Sequence, residues 1–157
     1  AYRYELGGTA HPCEYLIHKD IIDAKVISSF PSNTSVEQMS DLLQSKHKVS
    51  EQQIGEALSI HYQVPFINYL PNKYKLSQSS VQRNVTYFKL NQVVILTDER
   101  KRLIVLMFDP TNIALLMEIE SGLGTENYQL AFGMPKQILG YLDEKNVYSK
   151  SHKFNQI

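Results

Sequence analysis

The chain has 157 residues, in which 16 Lys and Arg are balanced by 16 Asp and Glu, so its formal net charge is zero. That balance argues against a nucleic-acid module, which needs an excess of cations, and 43% hydrophobic with 20% charged residues excludes wholesale disorder. The lone Cys13 cannot form an internal disulfide and fits a reducing compartment. No apolar run is long enough to insert into a bilayer or to read as a secretory leader, so the expected chain is cytoplasmic, with one domain or two small ones. Ala1 in place of Met suggests a fragment, a processed end or a tag remnant.

Residues 1–33 read as an N-terminal segment of unclear packing: Tyr2–Leu6 alternates loosely, Gly7-Gly8 breaks it, and Glu14–Ile27 mixes helical and extended signals. Phe30-Pro31-Ser32-Asn33 is turn chemistry. Thr34-x-x-Glu37 then predicts a capping box, followed at helical spacing by Val36, Met39, Leu42 and Leu43. Ser50-x-x-Gln53 predicts a second box, with Ile54, Ala57, Leu58 and His61 on one face. Separated by Lys46–Val49, these make a helical hairpin subdomain at 34–70 that ends in the extended Val64-Pro65-Phe66-Ile67. Leu70–Lys75 reads as a connector.

An α+β subdomain is expected at 71–148, in the order β-hairpin, helix, strand, helix. Gln92–Thr97 and Leu103–Phe108 are apolar, β-branched runs flanking the charged turn 98–102, and their composition predicts strands covered on both faces. Asp109 is expected to cap a helix with Pro110 at its first position and with Ile113, Leu116, Met117 and Glu120 on one face. Gly122-Leu123-Gly124 reads as the glycine stop of that helix, not as a dinucleotide turn, because it does not lie between a strand and a helix. Tyr128–Phe132 predicts a strand, and Pro135 opens a last helix with Ile138, Tyr141 and Leu142 inward. Met107, Met117 and Met134 read as core filler. Residues 149–157 read as a polar tail or linker.

Chemistry-bearing motifs are few. No Gly-Lys pair exists, so a phosphate-cradling P-loop is missing; there is no CxxC, HExxH or G-x-S-x-G. The nearest reactive grouping is His11-Pro12-Cys13-Glu14 with His18, which would serve an enzyme only if the fold brought a base to the thiol. The spacing fits no zinc pattern. The sequence therefore predicts no catalytic residue, no metal ligand and no cofactor. Asn33-Thr34-Ser35 and Asn84-Val85-Thr86 match the glycosylation acceptor pattern, a coincidence in a cytoplasmic chain.

Val49-Ser50-Glu51-Gln52-Gln53-Ile54, Ala57-Leu58 and Val64-Pro65-Phe66-Ile67, followed by the apolar hairpin and Asp109-Pro110-Thr111-Asn112, resemble the N-terminal domain of type II secretion ATPases (general secretion pathway protein E) and type IV pilus-assembly ATPases. The likeness covers about residues 34–148. It implies an accessory domain that precedes a P-loop motor and docks it onto the cytoplasmic domain of an inner-membrane platform protein. The partners implied are that platform and the chain's own downstream ATPase domain, with no nucleic acid and no direct membrane insertion.

Some relatives bind cyclic di-GMP through a pattern resembling R-L-G-x-x-L-x-x-x-G-x-I, continuing to a final Gln. Here Met39, Leu43, Val49, Ile54, Ala57 and Leu58 keep the apolar places. Gln38 stands for the Arg, Ser40 and His47 for two glycines, and His61 for the Gln. A neutral amide replaces a charged fork, and side chains stand where a backbone would approach a ligand. The expectation is a docking domain that keeps the fold without the ligand chemistry; the alternative is a cyclic di-GMP sensor of the same fold. Tyr62, Phe66 and Tyr69 are expected to mark a structural hinge between the subdomains.

Overall fold

Two serines start the two longest helices of the first half. In a computed structural model, which describes residues 11–78 and 85–143, the chain divides into two compact units, Ala1–Val64 and Pro65–Ile157. The expected tail at 149–157 and the alternation at 2–6 lie outside the described residues.

The first unit contains α1 (Glu14–His18), α2 (Ala24–Ser28), α3 (Val36–His47) and α4 (Glu51–Tyr62). The second capping box is as predicted: Gln53 N–H donates to Ser50 Oγ at 3.0 Å and Ser50 N–H to Gln53 Oε1 at 2.9 Å. The first is shifted by one residue. Ser35 and Gln38 form it, because the Thr34 hydroxyl is already spent on the Pro31 carbonyl at 2.6 Å. Each box contributes roughly 1 kcal/mol to its helix. Both helices close on left-handed residues that are not glycine, Lys48 at φ 54° and Gln63 at φ 58°.

Met39 and Leu43 of α3 pack with Ile54, Ala57 and Leu58 of α4, all under a tenth exposed. Leu42 and Val36 are half-buried. Helix α1 packs on α4 as well, and Leu16, only 1% exposed, is its anchor. Residues 11–28, unreadable as a pattern, are thus two short helices. The alternation that would reveal a helix needs more turns than these supply.

The second unit holds β1 (Lys75–Leu76), α5 (Val85–Asn91), β2 (Val93–Thr97), β3 (Leu103–Met107), α6 (Ile113–Leu123), β4 (Gln129–Phe132) and α7 (Pro135–Tyr141). The sheet order is β1-β2-β3-β4, antiparallel except for the parallel β3–β4 pair. The predicted hairpin pairs Val93 with Met107 through Thr97 with Leu103. Val93–Leu96 and Val105–Met107 are 0% exposed, so both strands are covered on both faces. Asp98 closes the turn by accepting Arg100 N–H, Arg102 N–H and Arg102 Nε–H.

Four expectations are corrected here, and one helix is added. The connector at 70–75 turns and then becomes strand β1, and α5 was not predicted at all, because only Phe88 is buried along it. The cap of α6 is Asn112, whose Oδ1 accepts Leu115 N–H at 3.1 Å. Asp109 instead accepts from the N–H and hydroxyl of Thr111, so Pro110 precedes the helix. The buried face of α6 is Leu115 and Ile119, while Ile113 is 50% and Met117 64% exposed. This helix is apolar nearly all round, so its sequence period does not select the face. Met107 and Met134 are core residues, at 0% and 2% exposed, and Met117 is not. Glycine does end α6, at Gly124 with φ 69°, while Gly122 remains helical.

Phe132 ties the segment after Val64 to the sheet. Its N–H donates to Pro65 O at 2.7 Å and its carbonyl accepts Ile67 N–H at 2.9 Å, a parallel bridge with Phe66. Helix α7 keeps Ile138, Tyr141 and Leu142 inward as predicted. Tyr141 Oη accepts Leu70 N–H at 2.9 Å and donates to the Asn68 carbonyl. Burial pushes this phenol up to about 12. Gly140 is required beside it, since a Cβ there would meet the Tyr69 ring at 2.9 Å.

Candidate functional site

The residues singled out for chemistry fall in the first unit. Cys13 lies just before α1, 2% exposed, with Sγ donating to Met39 Sδ at 3.3 Å. Burial pushes its thiol up to about 11. A thiol so protonated is a poor nucleophile at neutral pH. His11 does approach it, but Nδ1 accepts the Cys13 backbone N–H at 3.0 Å, which diverts that nitrogen from the sulfur. Desolvation lowers the pKa of His11, the charge of His61 lowers it further, and Glu14 opposes both. The fold thus brings His11, Glu14 and His61 into one electrostatic neighbourhood, and His18 is exposed on α1. Among the described residues no group of three His, Cys, Asp or Glu is placed to hold a metal ion.

Cys13 should resist iodoacetamide in the native chain at pH 8 and react fully in urea. Thiol counting by mass spectrometry checks this, and rapid native labelling would mean that the sulfur is not enclosed.

The positions of the degenerate nucleotide pattern are spread along α3 and α4. Gln38 is exposed and its Oε1 accepts Ser35 N–H at 3.0 Å, so its amide oxygen serves the helix cap. Ser40 is 4% exposed and its Oγ accepts Gln44 Nε2–H at 3.2 Å. His47 is exposed in the last turn of α3, and His61 is half-buried with its ring edge-on to Tyr62 at 5.1 Å. A depression of about 510 Å3 does include Gln38, along with Pro31, Asn33, Thr34, Asp41 and Leu42. Its only charged side chain is the carboxylate of Asp41, which repels a phosphodiester.

Of the expected hinge aromatics, Tyr62 is buried in the first unit. Phe66 and Tyr69 lie in the second, where Phe66 bridges Phe132 and Tyr69 N–H donates to Gln137 Oε1 at 2.6 Å. The role of Met39 as thiol partner had no signal in the sequence, since its spacing reads equally as core.

No protein-family model matches the chain, and no curated protein matches it. Solved structures do. MshE, determined with cdg, superposes at a TM-score of 0.64 with 14% identity, covering 87% of this chain and 99% of that one. The N-terminal domain of XpsE superposes at 0.54 with 15% identity, covering 83% and 90%. Both are type II secretion or type IV pilus ATPases. The fold is that of their N-terminal domains. It is mixed α and β, with helices first and a small sheet after them, as the sequence predicts. Among the described residues, this N-terminal-domain fold has no helix long and apolar enough to cross a membrane.

Proposed function

We propose that the chain is a docking and regulatory domain without catalytic chemistry of its own, carried by a type II secretion or type IV pilus-assembly ATPase. It binds the cytoplasmic domain of an inner-membrane platform protein, contacts its own downstream ATPase domain, and is held at the cytoplasmic face of that membrane through these partners. The observation that carries this reading is the match to nearly the whole of an isolated secretion-ATPase N-terminal domain, 90% of its length. Supporting it, the one thiol is enclosed against Met39, and Gln38 and Ser40 are occupied by the hairpin's own hydrogen bonds. Protein surface is then what remains to act.

One observation favours a second reading. MshE was solved in a cyclic di-GMP complex, and a sensor on this fold would use the same half of the chain. The first unit supports it poorly, since the depression at Gln38 offers a carboxylate and no cation.

Immobilised chain should retain the cytoplasmic domain of the platform protein at about 10 µM, a typical range for a modest transient interface. Loss of retention at tens of micromolar would overturn the docking reading. Calorimetry with cyclic di-GMP should give no saturable heat, and saturable heat would favour the sensor.

A further inference from the structure

We infer that the second unit carries a separate anion site at the entrance to β4, shaped for a small phosphorylated molecule. The site is a depression of about 580 Å3 between the β2–β3 turn and the chain leading into β4. Lys101 and Arg102 form one wall, and Thr125, Asn127, Tyr128 and Gln129 the other. Cavities of this volume accommodate nucleotide-sized molecules. Two cations, two hydroxyls and two amides line it, with no carboxylate. Lys101 and Arg102 are the charged side chains of this lining, in a turn that also carries Asp98 and Glu99.

The turn organises the cationic wall. Asp98 Oδ1 accepts the backbone N–H groups of Arg100 and Arg102, each at 2.9 Å. Its Oδ2 takes Arg102 Nε–H at 2.8 Å. The Asp98 carboxylate is therefore engaged by the turn's own donors. It also fixes the plane of a guanidinium that remains 65% exposed. A fixed guanidinium suits the fork geometry of phosphate oxygens.

Lys101 adds its ammonium to the same wall. It sits at φ 61°, the left-handed place in a hairpin turn where glycine or asparagine is preferred. Asp20, Lys48, Gln63 and Gln92 share that region, and here the lysine places an ammonium beside Arg102 in the depression. Across from it, Thr125 Oγ1 accepts Asn127 N–H at 3.0 Å, which orients the hydroxyl and leaves its hydrogen to donate. Tyr128 donates to Glu120 Oε1 at 2.6 Å, so that carboxylate too is engaged. Two cations and a hydroxyl donor favour a phosphate monoester over a single carboxylate, and the amides of Asn127 and Gln129 suit its polar body.

This site is independent of the docking reading, and its test needs no partner. The 157-residue chain is titrated with AMP at constant ionic strength and followed by amide chemical shifts. Saturable shifts at Lys101, Arg102, Thr125 and Gln129 are expected, with half-saturation below about 1 mM. Arg102→Gln should weaken binding about 10-fold, the loss of roughly one charge-assisted contact. Lys101→Gly should weaken it about 5-fold while leaving the thermal midpoint unchanged or raised, which separates lost binding from lost folding. Inorganic phosphate shifting the Lys101–Arg102 wall but not Asn127 or Gln129 would also support the site. The proposal is overturned by the absence of saturable shifts, by AMP affinity unchanged in both variants, or by an oligoglutamate peptide that binds more tightly than AMP.

Discussion

Replacing Phe132 with alanine is expected to destabilise the second unit by about 3–5 kcal/mol. The side chain is 0% exposed, and its ring lies 5.6 Å from that of Phe66 and 6.0 Å from that of Phe108. The substitution leaves the backbone bonds to Pro65 and Ile67 able to form, so the loss reports the ring alone. Phe66 belongs to the bridge with Phe132 and Phe108 directly follows β3 with its N–H held by Gln92 O, which limits collapse into the vacated space. A domain of this size has about 5–15 kcal/mol in total. The expected result is therefore a urea midpoint roughly halved at unchanged slope. A shift corresponding to less than about 1 kcal/mol would show that Phe132 is not the centre of this core.

Leu16→Ala should cost about 2–5 kcal/mol in the first unit, a large effect for a side chain on a five-residue helix. An isolated helix of that length has no stability of its own, so packing holds it. Leu16 lines an interior gap of only about 10 Å3 together with Leu43, Ile54 and Leu58. Those partners are held on two capped helices, so truncation leaves a cavity. Hydrogen exchange should show protection lost first across residues 14–18, with α3 and α4 retaining more of theirs. Equal loss everywhere would instead mean that α1 is integral to the cooperative unit, and no loss that it is dispensable.

Most of the second half was legible because its signals are local and strong. The runs at 92–97 and 103–108 are apolar at nearly every position, and a buried hairpin is what such runs make. Pro135 at the first position of α7 and Ser50 with Gln53 were equally direct. Where neighbouring residues offered the same chemistry, the pattern did not choose between them. Thr34 and Ser35 both carry a hydroxyl, and the turn at Pro31 decided which one capped α3. Asp109 and Asn112 posed the same ambiguity before α6. The face of α6, rich in apolar residues all round, was set by packing. Helix α5 and the N-terminal helices are too short for their period to register.

For the candidate site, sequence showed which residue types had departed from the nucleotide-binding pattern: Gln38, Ser40, His47 and His61. It did not show what those residues do instead. Capping by Gln38 and burial of Ser40 are consequences of the helix start, visible only once Ser35 is placed. The enclosure of Cys13 by Met39 joins positions 26 residues apart, a distance at which no local rule operates.

The bridge between Phe66 and Phe132 also has a consequence for biosynthesis. The first unit is made of helices whose contacts form among residues already outside the ribosome, so it closes early. The second waits until Phe132 has emerged before its opening segment gains a sheet neighbour. During that interval the strands at 93–97 and 103–107 are translated without their full cover, presenting a sticky apolar ribbon to the cell. Synthesis rate and chaperone supply should therefore govern the yield of the second unit more than that of the first.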